Sequence, residues 1–213
     1  MKFVKTYTMT DFIRFFIPFY FIFFFGVSFL GISILVARRI GKNPDVLPKD
    51  DSAYGLIGLY FKITIFSLFI YALFILIFPD AVFSIFQIRF LNIALLKYLG
   101  ISLMVIAFIW VFIAQIQMKN SWRIGIDDEL KTPLITHGLF RFSRNPVFLG
   151  MTMSLTGFFF TFPTMIAFLF LITGSILMQI QIRLEEAYLL VQHGSAYSVY
   201  KKSVGRMLGF IKT

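Results

Sequence analysis

The sequence predicts an all-α integral membrane protein with about five transmembrane helices. Of its 213 residues, 59% are hydrophobic and 14% are charged, whereas soluble domains are typically ~45–50% apolar and ~25% charged. The mean hydropathy is +0.85. Apolar runs of ~20 residues, the length that an α-helix needs to cross a bilayer, are separated by charged residues or prolines.

The apolar runs predict the helices in order along the chain. Pro163 should break the last apolar stretch into a helical hairpin, because proline lacks a helical donor and clashes with the preceding turn. The first run is too long for a secretory signal and ends in two arginines rather than at a small-residue cleavage site, so it is predicted to be a retained helix. The predicted spans are residues 12–37, 54–78, 93–117, 147–162 and 164–184.

The distribution of lysine and arginine predicts the orientation in the membrane. With five spans, the loops after the first and third helices and the C-terminal tail lie on one side and hold 14 of the 20 basic residues. The positive-inside tendency makes that side cytoplasmic, with the N-terminus outside. The net charge of +10 is thereby explained by topology and attraction to anionic lipids, without a nucleic-acid partner.

The chain reads as a single membrane domain over residues 1–213, because it has neither an internal repeat nor a low-complexity linker. Residues 1–117 supply three transmembrane helices, and residues 118–213 carry most of the remaining polar chemistry. The loop after the third helix and the tail fall on the same predicted side, so a site built from both would lie where the hairpin leaves the membrane. Two histidines, no cysteines and no HxxxH spacing argue against a metal site.

The stretch THGLFRFSRNPVFLG places Arg144 directly before a membrane helix. Taken alone, such an arginine could extend to lipid phosphates. Its neighbours suggest more: Gly138 permits a close backbone approach, Pro146 suits the first helical turn, and Asn145 is expected to cap the helix. A helix N-terminus of this kind favours an anionic group of a ligand.

The stretch RLEEAYLL places Glu185 and Glu186 at the end of the last predicted span. Two adjacent acids there are costly unless they are solvated, paired or used. They point about 100° apart on a helix, so at most one should face a cleft directly. The alternative interpretation of this stretch is an amphipathic helix on the membrane surface.

Three ordered segments resemble the isoprenylcysteine carboxyl methyltransferase family and its bacterial and phospholipid-methylating relatives. They are NSWRIGID, LITHGLFRFSRNPVFLG and RLEEAYLLVQHGSAYSVYKKSVGR. The second segment contains the family patterns G-x-[YF] and R-[HN]-P-x-[YF], and the third contains E-E-x-x-L and G-x-x-Y-x-x-Y. Asn145 replaces the histidine of the prenylcysteine enzymes, and Phe140 and Phe148 replace tyrosines. Gln181 stands where those enzymes have an arginine at the acceptor, and Arg183 is the nearest substitute.

The resemblance implies S-adenosylmethionine as the methyl donor in a cytoplasmic cofactor pocket beside the C-terminal hairpin. It also implies a lipophilic small molecule or lipid as the acceptor, and a multi-pass location in a bacterial inner membrane. Carboxylate O-methylation and lipid amine N-methylation both stay open. The residues implied for cofactor binding are Thr132, Leu134, Ile135, Gly138, Phe140, Arg144, Asn145, Pro146, Val147, Phe148 and Glu185.

The resemblance and the local chemistry together give three catalytic candidates. Arg183 or Arg144 would orient a carboxylate acceptor, and Glu186 would be the base for an amine acceptor. Phe140 and Phe148 would attract the donor's sulfonium through cation–π contacts. Two other classes of protein are also compatible with the sequence: an NADPH-dependent membrane reductase of the sterol-reductase type, and a non-catalytic transporter or lipid-binding protein.

Overall fold

The first long helix changes its winding in the middle of the membrane. In the computed structural model, which describes residues 9–46, 50–125 and 132–209, α1 (Met9–Phe23) continues through a π-helical segment (Phe24–Gly31) into α2 (Ile32–Ile40). The predicted helix over residues 12–37 is therefore confirmed, but its winding is not uniform. Such π-helical turns are rare and occur often at functional sites.

Four helical runs are long and apolar enough to cross a membrane, and a fifth apolar helix is shorter. This agrees with the all-α membrane fold predicted from composition, and the described residues form no β-strand. α6 has 16 residues, so it is about 24 Å long and shorter than the ~30 Å hydrocarbon core. The helices are α3 (Ala53–Ile77), α4 (Pro79–Phe86), α5 (Ala94–Met118), α6 (Pro146–Thr161), α7 (Met165–His193) and α8 (Ser195–Ser203).

α7 extends nine residues beyond the end of the predicted span. The helix continues to His193 and ends at Gly194, which has a φ of 52°. A residue in this left-handed region ends a helix readily when it is glycine, because glycine has no Cβ to clash. The extension carries both glutamates and Gln192 on the same rigid helix as the membrane span.

α5 and α6 cross at very short range because glycines line their contact. A Cβ atom added to Gly157 would lie 2.7 Å from the carbonyl oxygen of Gly100, and one added to Gly100 would lie 2.5 Å from the backbone nitrogen of Thr161. At Gly150 an added Cβ would lie 2.4 Å from Val111 Cγ2. Small residues let membrane helices approach closely and gain dispersion contacts.

Hydrogen bonds between tyrosines and the hairpin tie the N-terminal helices to the rest of the bundle. The Tyr20 hydroxyl donates to the carbonyl of Met104 at 2.9 Å and shares a hydrogen bond with Ser154 Oγ at 2.9 Å. The Tyr71 hydroxyl shares one with Thr164 Oγ1 at 2.7 Å. Buried polar groups in hydrocarbon need partners inside the protein, and these bonds supply them.

At each end of the bundle, backbone hydrogen bonds join neighbouring loops. At one end, the short helix α4 precedes Ile88, whose backbone N–H donates to the carbonyl of Pro163 at 2.8 Å. At the other end, Val46 N–H donates to Ile124 O at 3.0 Å, and Ile124 N–H donates to Pro44 O at 2.9 Å. The loops after the first long helix and after α5 are thus neighbours.

We predict that Gly157→Ala destabilises the protein by about 1–3 kcal/mol, because the added methyl group collides with the backbone of α5. Thermal unfolding in detergent would measure the effect. Gly26→Ala is the matched control, since an added Cβ there meets no atom within 4 Å. Equal melting temperatures for the two variants would contradict the close glycine contact.

Candidate functional site

Two adjoining cavities lie at the bundle end where α5, α7 and the loops meet. The smaller has a volume of about 130 Å³ and the larger about 280 Å³. Their common wall consists of Met118, Arg123, Gly125, Arg144 and Glu185. Two molecules that occupied the two cavities would therefore meet at this wall.

The two cavities differ in chemistry. The smaller one is lined by the segment 132–135 and by a polar face of the extended α7 with Glu185, Tyr188 and Gln192. The larger one is mostly apolar, and the π-helical segment contributes Phe25 and Phe29 to it. Of these two cavities, the larger one reaches toward the helix bundle.

A narrow apolar crevice of about 40 Å³ continues from the larger cavity between the membrane helices. The crevice and the larger cavity share Phe25, Phe61, Ile65 and Met151. An apolar chain entering the larger cavity could extend along this path while its polar end stayed at the common wall.

Most of the residues predicted for cofactor binding line one of these cavities. Thr132, Leu134 and Ile135 line the smaller cavity. The segment 145–148 lines the larger one, and Arg144 and Glu185 line both. The sequence thus predicted one set of residues, and the structure distributes that set over two compartments.

Gly138 and Phe140 line neither cavity. Gly138 has a φ of 62°, and a Cβ there would lie 2.4 Å from the Gln117 side chain, which accepts a hydrogen bond from Leu139 N–H at 2.8 Å. Its close approach is to Gln117, so the expectation that it approaches a ligand is corrected. Phe140 is buried, and its carbonyl accepts a hydrogen bond from the Tyr200 hydroxyl at 2.6 Å. Of the two phenylalanines expected to contact a sulfonium, only Phe148 lines a cavity.

Asn145 does not cap α6 through its side chain, contrary to the sequence-based expectation. Its Nδ2 donates instead to Glu186 Oε1 at 3.3 Å and to the carbonyl of Arg206 at 3.0 Å. The amide group thus links the start of α6 to α7 and to the C-terminal segment.

Glu186 is the centre of a buried ion-pair network. Its side chain is 5% exposed. Arg144 Nη2 donates to Oε1 at 2.9 Å, and Arg206 Nη2 donates to Oε2 at 2.9 Å. The Nε atoms of the same two arginines donate to the same oxygens at 3.1 and 3.0 Å. Both carboxylate oxygens are therefore saturated by charge-assisted hydrogen bonds.

Arg144 and the C-terminal segment complete this network. Arg144 Nη1 donates to the carbonyls of Lys201 and Val204 at 2.8 and 2.7 Å, and its backbone N–H donates to Gly205 O at 3.0 Å. The hydrogen bond to Glu186 raises the pKa of Arg206. Burial raises the pKa of Tyr197, which lies against the network, to about 12. Both shifts favour a protonated Arg206 and a neutral Tyr197 hydroxyl beside Glu186.

The three predicted catalytic residues are engaged elsewhere. Arg183 is exposed, lines neither cavity, and donates to Gln179 O and Oε1 at 2.6 and 3.0 Å. This corrects the expectation that Arg183 substitutes for an arginine at position 181, since two residues along a helix turn a side chain by about 200°. Glu186 is saturated by its arginines, and Arg144 uses its donors on Glu186 and backbone carbonyls. Arg144 and Glu186 thus spend most of their hydrogen-bonding capacity within the protein, and Arg183 lies away from both cavities.

Glu185, Gln181 and Gln192 are further polar residues in the walls of the cavities. Glu185 forms no ion pair with a described residue, and its Oε1 accepts one hydrogen bond from Gln181 Nε2 at 2.9 Å. Gln181 lines the larger cavity, is 4% exposed, and has an unpartnered Oε1. Gln192 lines the smaller cavity, and its buried Nε2 likewise has no partner in the part of the chain described.

Sequence reasoning did not find Gln192, and it noted Gln181 only as the position of an arginine in related enzymes, although helical spacing places both on the face of Glu185. Gln181 lies one turn before Glu185, and Gln192 lies two turns after it, so all three share a face of α7. The sequence did not reveal which of the two glutamates faced the cavities.

We predict that Glu186→Gln lowers the free energy of unfolding by up to about 3–5 kcal/mol, because it leaves two arginines around a neutral amide. Thermal unfolding in detergent would measure the loss. Arg183→Ala is the control, because that arginine is exposed on the same helix and bonds only within one turn. A Glu186→Gln protein as stable as the control would show that the network does not hold the segments together.

The comparison with known proteins supports a methyltransferase over the reductase and transporter alternatives. No curated protein matches the chain. Residues 95–196, from α5 to the start of α8, match the family model described as phospholipid methyltransferase. That segment contains most of both cavity walls. This match supports the resemblance seen in the sequence for the wider family but not for the isoprenylcysteine subgroup: residues 95–196 are similar to phospholipid methyltransferases.

Proposed function

We propose that this protein is an S-adenosylmethionine-dependent methyltransferase that N-methylates a lipophilic amine. The observation that carries the proposal is the position of Glu185. Its unpaired carboxylate lies in the wall shared by a polar cavity and by an apolar cavity that continues into the membrane bundle. In the proposed reaction a water-soluble donor and a lipophilic acceptor must come into contact. A wall shared by a polar and an apolar cavity allows this contact.

The smaller cavity suits the donor. S-Adenosylmethionine carries a carboxylate, an ammonium group, ribose hydroxyls and a cationic sulfonium. The unpartnered Nε2 of Gln192 is a donor for the carboxylate, and Glu185 is an acceptor for a cation or a hydroxyl. Tyr188 and Leu189 offer apolar surface beside them. We assign Thr132, Leu134 and Ile135 to the same compartment, and we place Phe148 on its far side, toward the acceptor.

When bound, the donor supplies an electrophilic methyl group on a positively charged sulfur. The protein's contribution is to position the nucleophile and exclude water, and well-oriented reactants can gain roughly 7–11 kcal/mol in this way. Glu185 stabilises positive charge at the junction of the cavities. Arg144 holds α6, α7 and the tail in the relative positions that form the junction, and so acts as a positioning residue.

An amine is the acceptor that the larger cavity favours. Glu185, in the wall of this cavity, is a hydrogen-bond acceptor and so complements a group that carries N–H donors. A carboxylate acceptor would be repelled by the Glu185 carboxylate, and Arg183 and Arg144 are engaged elsewhere. Lys62, exposed at the edge of the same cavity, suits an anionic group farther along a lipid headgroup.

The reaction that we propose balances as follows. The acceptor ammonium loses one proton, which Glu185 accepts and passes to water. The freed nitrogen lone pair forms the C–N bond while the C–S bond breaks and its electron pair stays on sulfur. Glu185, ionised again, stabilises the positive charge that appears on the methylated nitrogen. Glu186, which the sequence suggested as the base, has no free oxygen for this role.

Isothermal titration of the purified protein with S-adenosylhomocysteine tests the donor site. We expect wild-type protein to bind it, and Glu185→Ala to bind at least about tenfold more weakly, because one charge-assisted hydrogen bond is worth roughly 1.5–3 kcal/mol. The matched control is Arg183→Ala, which removes a charge two residues away on the exposed face and should bind as wild type.

Two results would contradict the proposal. One is the absence of binding by folded wild-type protein, and the other is equal loss of affinity in the Glu185→Ala and Arg183→Ala variants. A thermal shift produced by NADPH but not by S-adenosylhomocysteine would point to the reductase alternative.

A further inference from the structure

We infer that Gln181 is a positioning residue, which holds the Glu185 carboxylate at the common wall of the two cavities, and that Tyr54 of α3 holds Gln181 in turn. The inference rests on the donor binding proposed above, and it gives Gln181 a role other than contact with either ligand. It is carried by two hydrogen bonds that converge on one buried amide nitrogen.

The first hydrogen bond fixes Glu185. Gln181 Nε2 donates to Glu185 Oε1 at 2.9 Å, and the two residues are one turn apart on α7, so their side chains lie side by side. A glutamate side chain has several rotatable torsions and loses their freedom when a ligand orders it. Here the bond to Gln181 orders the carboxylate before a ligand arrives, which removes part of that entropic cost from binding.

The second hydrogen bond fixes Gln181 itself. Its Nε2 also donates to the Tyr54 hydroxyl oxygen at 3.1 Å, and the side chain is 4% exposed. Turning the amide by 180° would place its carbonyl oxygen against the Glu185 carboxylate, where two acceptors repel each other. Both N–H bonds of the amide are thus used within the protein, and its donating end stays on Glu185.

The start of α3, which carries Tyr54, is held by its own hydrogen bonds. Ser52 caps the helix, because its Oγ accepts a hydrogen bond from Gly55 N–H at 3.0 Å. The same hydroxyl donates to Asp50 Oδ1 at 2.5 Å. A Cβ atom added to Gly55 would collide with the carbonyl oxygen of Asp50, so the turn is closely packed. Tyr54 lies between the two residues of the cap and is presented to α7 by this turn.

Tyr54 connects the wall to a part of the chain outside the matched segment. It precedes residues 95–196 and lines neither of the two cavities, and its hydrogen bond to Gln181 links it to the site. The neutral amide between Tyr54 and Glu185 suits a positioning role. A cationic side chain at position 181 would neutralise Glu185, whereas an amide orients the carboxylate and leaves its negative charge for a cationic donor.

The test measures S-adenosylhomocysteine binding by isothermal titration in a double-mutant cycle. Gln181→Met keeps the length of the side chain and removes the donor. We expect it to weaken binding about three- to fivefold, because Glu185 then loses its fixed orientation. The Gln181→Met, Glu185→Ala double variant should bind no more weakly than Glu185→Ala alone. A positioning residue has no effect once the residue that it positions is gone.

Tyr54→Phe tests the outer hydrogen bond, since it removes one hydroxyl group that lines neither cavity. We expect it to weaken binding about two- to threefold, and to have no further effect in the Gln181→Met background. Two matched controls should bind as wild type. Gln179→Met makes the same change on another face of α7, and Tyr60→Phe removes an exposed hydroxyl group from α3.

An infrared measurement observes the carboxylate directly and needs no ligand. The difference spectrum between a protein and the same protein carrying Glu185→Gln isolates the Glu185 carboxylate band. This band should shift in Gln181→Met, because the carboxylate loses a hydrogen bond, and shift less in Tyr54→Phe, because only the support of the donor is lost. It should stay unchanged in the two control variants.

The outcomes separate this inference from the proposed function. Wild-type affinity in Gln181→Met, an unshifted carboxylate band, or a double-variant loss equal to the product of the two single losses would each overturn the positioning role and leave donor binding intact. Failure of folded wild-type protein to bind S-adenosylhomocysteine would refute the proposed function. The infrared band would then still decide whether Gln181 and Tyr54 hold Glu185.

Discussion

The carboxylate of Glu186, held between Arg144 and Arg206, is the interaction on which the rest of the site depends. Arg144 precedes α6, Glu186 lies in the extension of α7, and Arg206 follows α8. A small apolar cluster of Tyr197, Tyr200 and Val204, with Leu134 and Leu189 packed against it, joins the same segments. A buried ion pair stabilises only when its hydrogen bonds are complete, and here the backbone carbonyls of Lys201 and Val204 complete them.

Two adjacent glutamates have opposite roles because they point in different directions on one helix. Glu186 is turned toward the arginines and has no free oxygen, whereas Glu185 is turned toward the cavities and forms no ion pair with the residues described. The first holds the structure together, and the second is available to ligands. The rigid extension of α7 up to Gly194 is what keeps this division stable.

The membrane helices contribute a second constraint. Close glycine contacts hold α6 against α5, which brings the start of α6 to the common wall of the cavities. The π-helical segment widens the first helix at the level where Phe25 and Phe29 line the larger cavity. The site is thus open toward the helix bundle on one side and lined by polar residues on the other. This asymmetry is what a reaction between a soluble and a lipophilic molecule requires.

Much of this architecture could be predicted from the sequence, because hydropathy and prolines act locally. These local patterns predicted the membrane spans, the shortness of α6 and the hairpin at Pro163. Topology predicted that the polar loop after the third helix lies close to the C-terminal tail. The structure differs from three predictions about side chains. Asn145 does not cap α6, Arg183 bonds to Gln179, and Glu186 is held between two arginines. Each of these contacts depends on which neighbour a side chain reaches.

The sequence by itself determined that the protein is helical, membrane-embedded and polar at one end, and it displayed the motifs of a methyltransferase-like family. Only the tertiary structure decided that Glu185 rather than Glu186 lines the cavities, that Arg144 bonds to Glu186 and to the carbonyls of Lys201 and Val204, and that Gln181 donates to Glu185. The physical reason is that hydrophobic periodicity is encoded within one segment. The partner of a charged side chain is instead set by segments that lie 20 to 60 residues apart in the chain and meet only after folding.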